Sequence, residues 1–230
     1  MKKTAYRTEL KHIITIMDAQ LVRARVQSIL QLDSHAGRDK KYFIRSLYFD
    51  TAEDKAYYEK IDGVAIRDKF RIRYYDHNTD IIRLEKKSKV NGSASKEGAF
   101  LKKHQVEAIL NGDIAFLLQS SEPICREFFL KLREDRLMPK TTVDYYREAY
   151  TCRWGNVRVT LDSDLRTSIG CVDFFNPASI STFPMNPNFC ILEIKYDHYL
   201  PDFIRDLVQL NTCMATAVSK YVACRNIQLN

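Results

Sequence analysis

Hydrophobic and polar residues alternate one by one along much of the chain, which is the pattern of β-strands that turn one face towards a core. The clearest example runs from Arg67 to Tyr75, where Lys69, Arg71 and Arg73 stand at every second position between apolar residues. Because side chains two residues apart share a face of a strand, this segment has one ionic and one apolar face. We predict strands at residues 6–16, 42–50, 64–75, 81–89, 93–101, 141–151, 156–162, 166–169 and 190–197.

Stretches with apolar residues three and four positions apart interrupt the strands and predict helices. In the first of them we expect Asp18 to cap the helix. Its apolar stripe consists of Leu21, Val22, Val26, Ile29 and Leu30. The predicted helices cover residues 18–32, 103–110, 123–135 and 201–210, with a hairpin connection at 91–95 and a long loop at 170–187. This order predicts an α+β fold on antiparallel strands, in a single domain over residues 1–230.

The polar faces of the predicted strands are ionic. They carry Arg7, Glu9, Lys11, Arg83, Glu85, Lys87, Lys89, Arg147, Arg158, Asp162, Glu193 and Lys195 in addition to the row that begins at Arg67. For any one strand, an ordinary sheet with its polar side in water explains this better than a functional face. Such a sheet usually also carries Thr, Ser and Gln, however, and the predicted helices suffice to cover the apolar side. We therefore expect an antiparallel β-barrel with the ionic faces inside and helices packed outside.

Charge narrows the choice of ligand. The chain has 36 Lys and Arg against 29 Asp and Glu, a net charge of +7, so an anionic partner is expected. Cations that line an enclosed space repel one another unless carboxylates and a bound polyanion neutralise them. Arg donates paired hydrogen bonds to phosphate oxygens. An inorganic or nucleotide triphosphate fits this chemistry.

Other function classes find little support in the residues. The six cysteines form no CxxC pair, and the five histidines share no common spacing, so we assign neither group any chemistry. We see no helix-turn-helix, RNP-like or zinc-finger pattern and expect no nucleic-acid partner. The first residues carry lysines without an apolar run behind them, and no later stretch is apolar enough for a membrane helix. A cytoplasmic protein without a membrane segment is expected.

Seven motifs occur in the order that is found in one known family. They are RTELK from Arg7, KFRIRYY from Lys69, RLEKKSK from Arg83, VDYYREAY from Val143, VRVTLD from Val157, ILEIKY from Ile191 and SKY from Ser219. With these motifs the chain resembles the triphosphate tunnel metalloenzyme superfamily, also called CYTH-like. Within it, the chain is similar to the polyphosphate polymerase domain of the vacuolar transporter chaperone (VTC) proteins, in its bacterial stand-alone form.

The resemblance implies a role for individual residues. As phosphate-binding and catalytic residues it implies Lys11, Arg71, Arg73, Lys87, Arg147, Arg158 and Lys220, with Lys96 as a further phosphate-binding position. It implies Glu193 as the carboxylate that holds Mn²⁺ or Mg²⁺, with Glu9 and Glu85 as possible helpers. Strand alternation by itself places all of the seven except Lys220 on ionic faces. The residues alone favour Glu9, Glu85 and Asp162 as ion-pair partners, and Arg67, Lys69 and Arg83 as solvated groups at the barrel mouths.

The implied activity is transfer of the terminal phosphate of ATP to a growing polyphosphate chain. The wider CYTH-type hydrolases carry an ExExK pattern, in which Arg7 here replaces the first glutamate; this argues against a hydrolase with a second metal. Two alternatives stay open: a metal-dependent hydrolase of triphosphate or nucleoside triphosphates, and a non-catalytic module that binds polyphosphate or nucleic acid. The oligomeric state is not indicated by the sequence.

Overall fold

The computed structural model describes residues 7–37, 39–91, 93–168, 173–179, 182–210 and 218–229. Its strands are β1 (Thr8–Thr15), β2 (Gln31–Leu32), β3 (Tyr42–Asp50), β4 (Ile66–Tyr75), β5 (Asn78–Val90), β6 (Ser93–Leu101), β7 (Met138–Cys152), β8 (Val157–Thr167) and β9 (Phe189–Tyr196). Its α-helices are α1 (Ile16–Val26), α2 (Lys55–Ile61), α3 (Lys103–Leu110), α4 (Pro123–Arg133), α5 (Asp202–Val208) and α6 (Lys220–Leu229). Short 3₁₀ helices lie at Ala115–Gln119, Trp154–Asn156 and Pro177–Ser179.

The strands form one antiparallel sheet in the order β1, β9, β8, β7, β3, β4, β5, β6, with β2 paired to β7. The sheet curls strongly, because Lys87 of β5 reaches Glu9 of β1 at 3.0 Å although six steps of the ladder separate these strands. Among the described residues, no strand pairing joins β1 to β6 and closes the curl. The predicted α+β class with an antiparallel, barrel-like sheet is confirmed. We call the concave side that carries Glu9 and Lys87 the inner face.

Helices cover the opposite, outer face. Outward residues of β3 to β6, such as Leu47, Ile72 and Leu84, pack against α3 and α4 around the fully buried Phe128. Outward residues of β1, β8 and β9 pack against α1 and α5 in a second apolar layer. Burial of these two layers removes much of the apolar surface of the outer face from water, which is the main stabilising contribution to such a fold.

The first helix begins earlier than expected. Thr15 caps α1: its hydroxyl accepts from the amide of Asp18 at 3.1 Å, and the Asp18 carboxylate accepts from the amide of Thr15 at 3.3 Å. Asp18 is therefore the third residue of a capping box and does not itself cap the helix, which corrects the prediction. Val22, Val26 and Leu30 of the expected stripe are buried as predicted, whereas Leu21 and Ile29 are exposed.

Two helices were missed from the sequence, and one of them, α6, packs on the inner face. Tyr221 of α6 is fully buried beside Tyr48 of β3, and its hydroxyl donates to Asp50 at 2.5 Å. Asp50 also accepts from the first turn of α2, where it bonds to the Ala56 amide at 2.8 Å. The inner end of β3 therefore anchors both missed helices.

The predicted strand 166–169 is not a separate element. Arg166 and Thr167 continue β8, which stays paired with β7 through a register shift near Asp144. Ile169 lies outside the described residues, as do Tyr6 of the first predicted strand and Gly92 of the predicted hairpin. The short β2 was not predicted. Within the part of the chain that the structure describes, no helix is both long and apolar enough to cross a lipid bilayer.

Candidate functional site

The inner face brings the predicted cations together, since neighbouring strands hold them at matching positions. Lys11 of β1 stands opposite Glu193 of β9, and Arg147 of β7 stands opposite Asp162 of β8. Three lysines stand side by side across β4, β5 and β6: Lys69, Lys87 and Lys96. The residues that alternation placed on the ionic faces of separate strands therefore lie on one shared face. Pairing of the strands sets their charged side chains next to one another, and we call this set the charge array.

Within this array, cations gather around a few carboxylates, and we call each such carboxylate with its cations a centre. Glu85 of β5 forms the first centre. Its carboxylate lies 2.7 Å from Arg71, 4.0 Å from Arg73 and 2.5 Å from Lys96, and only 2% of its side chain is exposed. Burial alone would raise the pKa of Glu85, but the three cations hold the pKa well below its usual range. Both carboxylate oxygens of Glu85 are thus engaged with cations.

Tyrosine and serine hydroxyls fix the two arginines further. Arg71 donates to the Tyr48 hydroxyl at 2.9 Å, and Arg73 donates to Ser46 at 2.8 Å and to Tyr145 at 3.2 Å. Burial would raise the pKa of Tyr48, yet Arg71 and Arg73 outweigh it and lower the pKa to about 8. The two guanidinium groups beside the buried phenol make this part of the inner face positive.

Asp162 of β8 is the second centre. Arg147 binds it through two nitrogens, at 2.6 and 2.7 Å, and Lys220 lies 2.6 Å away. The ammonium of Lys220 also lies 4.7 Å from the centre of the Tyr145 ring. Burial would raise the pKa of Asp162, but Arg147 and Lys220 lower it. Helix α6 thus delivers Lys220, which strand alternation could not place, to the same surface as Arg147.

Glu9 and Glu193 form the third centre, on the adjacent strands β1 and β9. Their carboxyl groups lie within hydrogen-bonding range of each other. Glu9 is 2.9 Å from Lys11 and 3.0 Å from Lys87, and Glu193 contacts Lys195. Burial would raise the pKa of Glu193, but the adjacent cations, chiefly Lys195 and then Arg147, hold the pKa well below its usual range.

The Glu9–Glu193 carboxylate pair offers oxygen donors of the kind that bind divalent cations. Among the described residues, no group of three or more His, Cys, Asp and Glu is arranged to hold a metal. Two adjacent carboxylates still match the chemistry of Mg²⁺ or Mn²⁺, because such ions commonly take one or two carboxylates and complete their coordination with phosphate oxygens and water. Glu9 and Glu193 therefore fit an ion that shares its coordination with a phosphate ligand.

Arg158 of β8 lies at the edge of the array with partners of its own. It contacts Asp33 at 2.5 Å and donates to the Tyr42 hydroxyl at 2.8 Å. Asp33 follows the two-residue β2, where no alternating pattern is long enough to assign a face. The sequence therefore gave no sign of this partner.

Two further lysines of the inner face were not among the predicted site residues. Lys195 shares its face with Glu193, so alternation alone could have found it. Lys69 lies 4.4 Å from the Tyr221 ring and has no carboxylate within 4.0 Å among the described residues. Burial lowers the pKa of Lys69 to about 8. It is half-buried, unlike Arg83, which is exposed as expected.

Residues 6–228 match the family model described as the VTC domain. No protein with a curated function matches the sequence significantly. Among solved structures, the crystal structure of a candidate adenylate cyclase from Bacillus halodurans matches with a TM-score of 0.51 and 13% identity, over 88% of this chain and 86% of that chain. Two proteins from Pyrococcus horikoshii match 88% of this chain at 15% and 14% identity, with 84% and 85% of their own lengths covered and TM-scores of 0.42 and 0.44. The likeness to the Bacillus protein supports the fold described above.

Proposed function

The chain belongs to the VTC domain family, and on this premise we propose that it is a phosphotransferase that binds a nucleoside triphosphate on its basic inner face and extends inorganic polyphosphate. One observation carries the proposal: the carboxylates of the three centres described above are shared, each between two or more cations. Glu85 meets three cations, and Asp162 meets two. The half-buried surface therefore keeps a positive excess, which a chain of linked phosphates would neutralise.

We assign the phosphate ligands by these centres. Arg71, Arg73 and Lys96 around Glu85 form one group, and the cations around Asp162 and the carboxylate pair form the other: Arg147, Lys220, Lys11 and Lys87. Arg158, near the start of β8, extends the second group. Because each cation is already oriented by a carboxylate or hydroxyl, little ordering is needed when the phosphates bind.

The transfer needs position and charge more than a covalent intermediate. The bond between the terminal phosphorus of ATP and its bridging oxygen breaks, ADP keeps that electron pair, and an oxygen of the acceptor phosphate forms the new bond. The cationic groups would stabilise charge on the peripheral oxygens of the transferred group. Burial raises the pKa of both Cys190 and Cys224 to about 12, so neither of these two thiols is activated as a nucleophile.

Glu193 and Glu9 would hold Mn²⁺ or Mg²⁺ on this scheme. Bound there, the ion would neutralise charge on the phosphate oxygens. Burial disfavours the charged form of Glu193, but the adjacent cations outweigh it, hold the pKa well below its usual range and keep the carboxylate ionised at neutral pH. The carboxylate is therefore available to a metal ion without loss of a proton. The assignment of Glu85 to the metal stays a prediction, and its two engaged oxygens make it a positioning group for Arg71 and Lys96.

The test is incubation of the purified chain with ATP and Mn²⁺ or Mg²⁺, followed by gel electrophoresis and phosphorus NMR of the products. We expect polyphosphate chains together with ADP. Arg71→Met and Glu193→Gln should each lower the rate at least tenfold. Lys103→Met, on the exposed surface of α3, removes the same charge far from the inner face and should leave the rate unchanged.

The products decide between the open alternatives. ADP with free phosphate and no chains would replace the proposal by a hydrolase. Tight binding of polyphosphate without turnover would replace it by a binding module. Equal rates for wild type, Arg71→Met and Glu193→Gln would remove the inner face from the chemistry.

A further inference from the structure

Four side chains of β1 and β9 form a checkerboard of charge around the carboxylate pair. In the strand register Glu9 faces Lys195 and Lys11 faces Glu193, so the acids lie on one diagonal and the lysines on the other. Such an arrangement places each lysine next to an acid on its own strand and opposite an acid on the neighbouring strand. The pair of acids is thereby neutralised from within the protein.

Lys195 has a different position from the other lysines here. Its ammonium contacts the Glu193 carboxylate and lies 3.8 Å from Glu9. Lys11 and Lys87 contact Glu9, each on a different oxygen. Among the described residues, Lys195 is the lysine within 4.0 Å of both acids of the pair. Its ammonium therefore lies beside both carboxylates, where it would compete with a divalent ion held by Glu9 and Glu193.

Lys11 and Lys87 also differ from Lys195 in what a phosphate ligand would do to them. Both are assigned above as phosphate ligands, so the ligand would compete with Glu9 for their ammonium groups. Lys195 lies two residues after Glu193 on the same face of β9, so the strand itself keeps its ammonium beside the Glu193 carboxylate. Phosphate binding thus relieves two of the three ammonium contacts of Glu9 and leaves Lys195 as the remaining competitor for the acids.

We propose that Lys195 is an internal counter-cation that holds the Glu9–Glu193 pair until a divalent metal ion displaces it. The inference rests on the proposed function, which places the metal at this pair. An ammonium and a divalent ion cannot share the same carboxylate oxygens without strong repulsion. Metal alone therefore binds weakly, and triphosphate favours metal binding by drawing lysines away from the acids. By linkage the metal favours triphosphate binding equally.

The test is a titration of the protein with Mn²⁺ alone, in which free Mn²⁺ is followed by electron paramagnetic resonance. We expect Lys195→Met to bind Mn²⁺ about tenfold or more tightly than wild type, since one adjacent positive charge is lost. Lys195→Arg keeps the charge and should bind like wild type. Lys103→Met, which changes the net charge equally but lies on α3, should also bind like wild type. Circular dichroism checks that each variant is folded, and Lys195→Gln replaces Lys195→Met if the latter is not.

A double variant separates the two levels of the argument. Lys195→Met combined with Glu193→Gln should lose the gain, because the carboxylate pair is then broken. If Lys195→Met binds like wild type but the double variant binds more weakly, the counter-cation role is overturned and the metal site stands. If all variants bind alike, both the role of Lys195 and the metal site at the pair are overturned. If Lys195→Arg gains affinity as Lys195→Met does, charge competition is overturned.

Discussion

Two sets of ion pairs lie on opposite faces of the same sheet and are built differently. On the outer face Asp144 holds Arg45 through three contacts of 2.7 to 3.1 Å, and Glu148 holds Arg23 at 2.8 Å. Within the described residues, each of these outer acids has one cation within ion-pair distance. On the inner face, by contrast, the single carboxylate of Glu85 lies within ion-pair distance of three cations.

The difference shows what each set is for. In a one-to-one pair the two charges neutralise each other, and the pair connects structural elements. Arg45, for example, links Asp144 of β7 to the carbonyl of Asn176, to which it donates at 2.8 Å. A carboxylate that is shared by several cations neutralises only part of their positive charge. The fold tolerates that excess only because the inner face stays partly open to water, and an anion would relieve it. Substitutions that remove one charged partner on either face can therefore test this comparison.

The largest effect is expected at the outer pair. Arg45→Met leaves Asp144 buried without its cation and should lower the free energy of unfolding by about 3 to 5 kcal/mol. Urea denaturation measures it. Arg45→Met combined with Asp144→Leu, which removes both charges, should recover most of the loss. A loss below about 1 kcal/mol in the single variant would mean that this pair is not structural.

The next effect is expected at the shared acid. Glu85→Gln leaves Arg71, Arg73 and Lys96 without their carboxylate and should lower the free energy of unfolding by about 2 to 3 kcal/mol. Inorganic tripolyphosphate should reverse much of this loss, because its charge replaces that of Glu85. Thermal denaturation with and without tripolyphosphate measures both.

The control for Glu85→Gln is the outer single variant. Tripolyphosphate should not rescue Arg45→Met beyond the stabilisation that it gives to wild type, since that defect lies on the other face. Equal rescue of both variants would contradict the division between the faces.

A cation of the inner face should matter more for binding than for stability. Arg71→Met should weaken tripolyphosphate binding about 10- to 100-fold, in line with the loss of charge-assisted hydrogen bonds. Its free energy of unfolding should change by less than about 1 kcal/mol, because Glu85 keeps Lys96 and Arg73. Isothermal titration calorimetry and urea denaturation give the two values. The reverse result, a large loss of stability with unchanged binding, would make Arg71 a structural residue.

The smallest effect is expected from Lys69 and depends on pH. Its pKa is lowered to about 8, so it is charged at pH 7 and neutral at pH 9.5. Tripolyphosphate affinity should therefore fall as the pH rises through about 8, and by less in Lys69→Met than in wild type. Tyr48 and Lys195 titrate in the same range, so the difference between the two proteins is the quantity to measure. Identical pH profiles would exclude Lys69 from anion binding.

Alternation of residues was a reliable guide to the faces of the strands, because the period of two is set by local backbone geometry. It placed Arg71, Arg147 and Glu193 on one side before any pairing was known. It could not say which carboxylate each cation meets, since that depends on strand register over long separations in sequence. Glu9 and Glu193 are neighbours only because β1 pairs with β9.

Features without a periodic signal were missed for the same physical reason. Helix α6 is held by side-chain partners from distant strands, among them Asp162 and Asp50. Asp33 reaches Arg158 from an irregular segment. The cap of α1 was misplaced by three residues because Thr15 and Asp18 satisfy the same amides reciprocally. The assignment of the whole chain to one domain stays a prediction.

The contact between Glu9 and Lys87 also acts as a latch, because it joins two strands that share no backbone hydrogen bonds. A ligand that binds the ammonium of Lys87 would break this contact with Glu9. The distance between β1 and β5 across the inner face would then depend on the bound ligand. Faster hydrogen exchange of β1 amides after addition of tripolyphosphate would reveal such loosening, and unchanged exchange would show that the curl is held by other means.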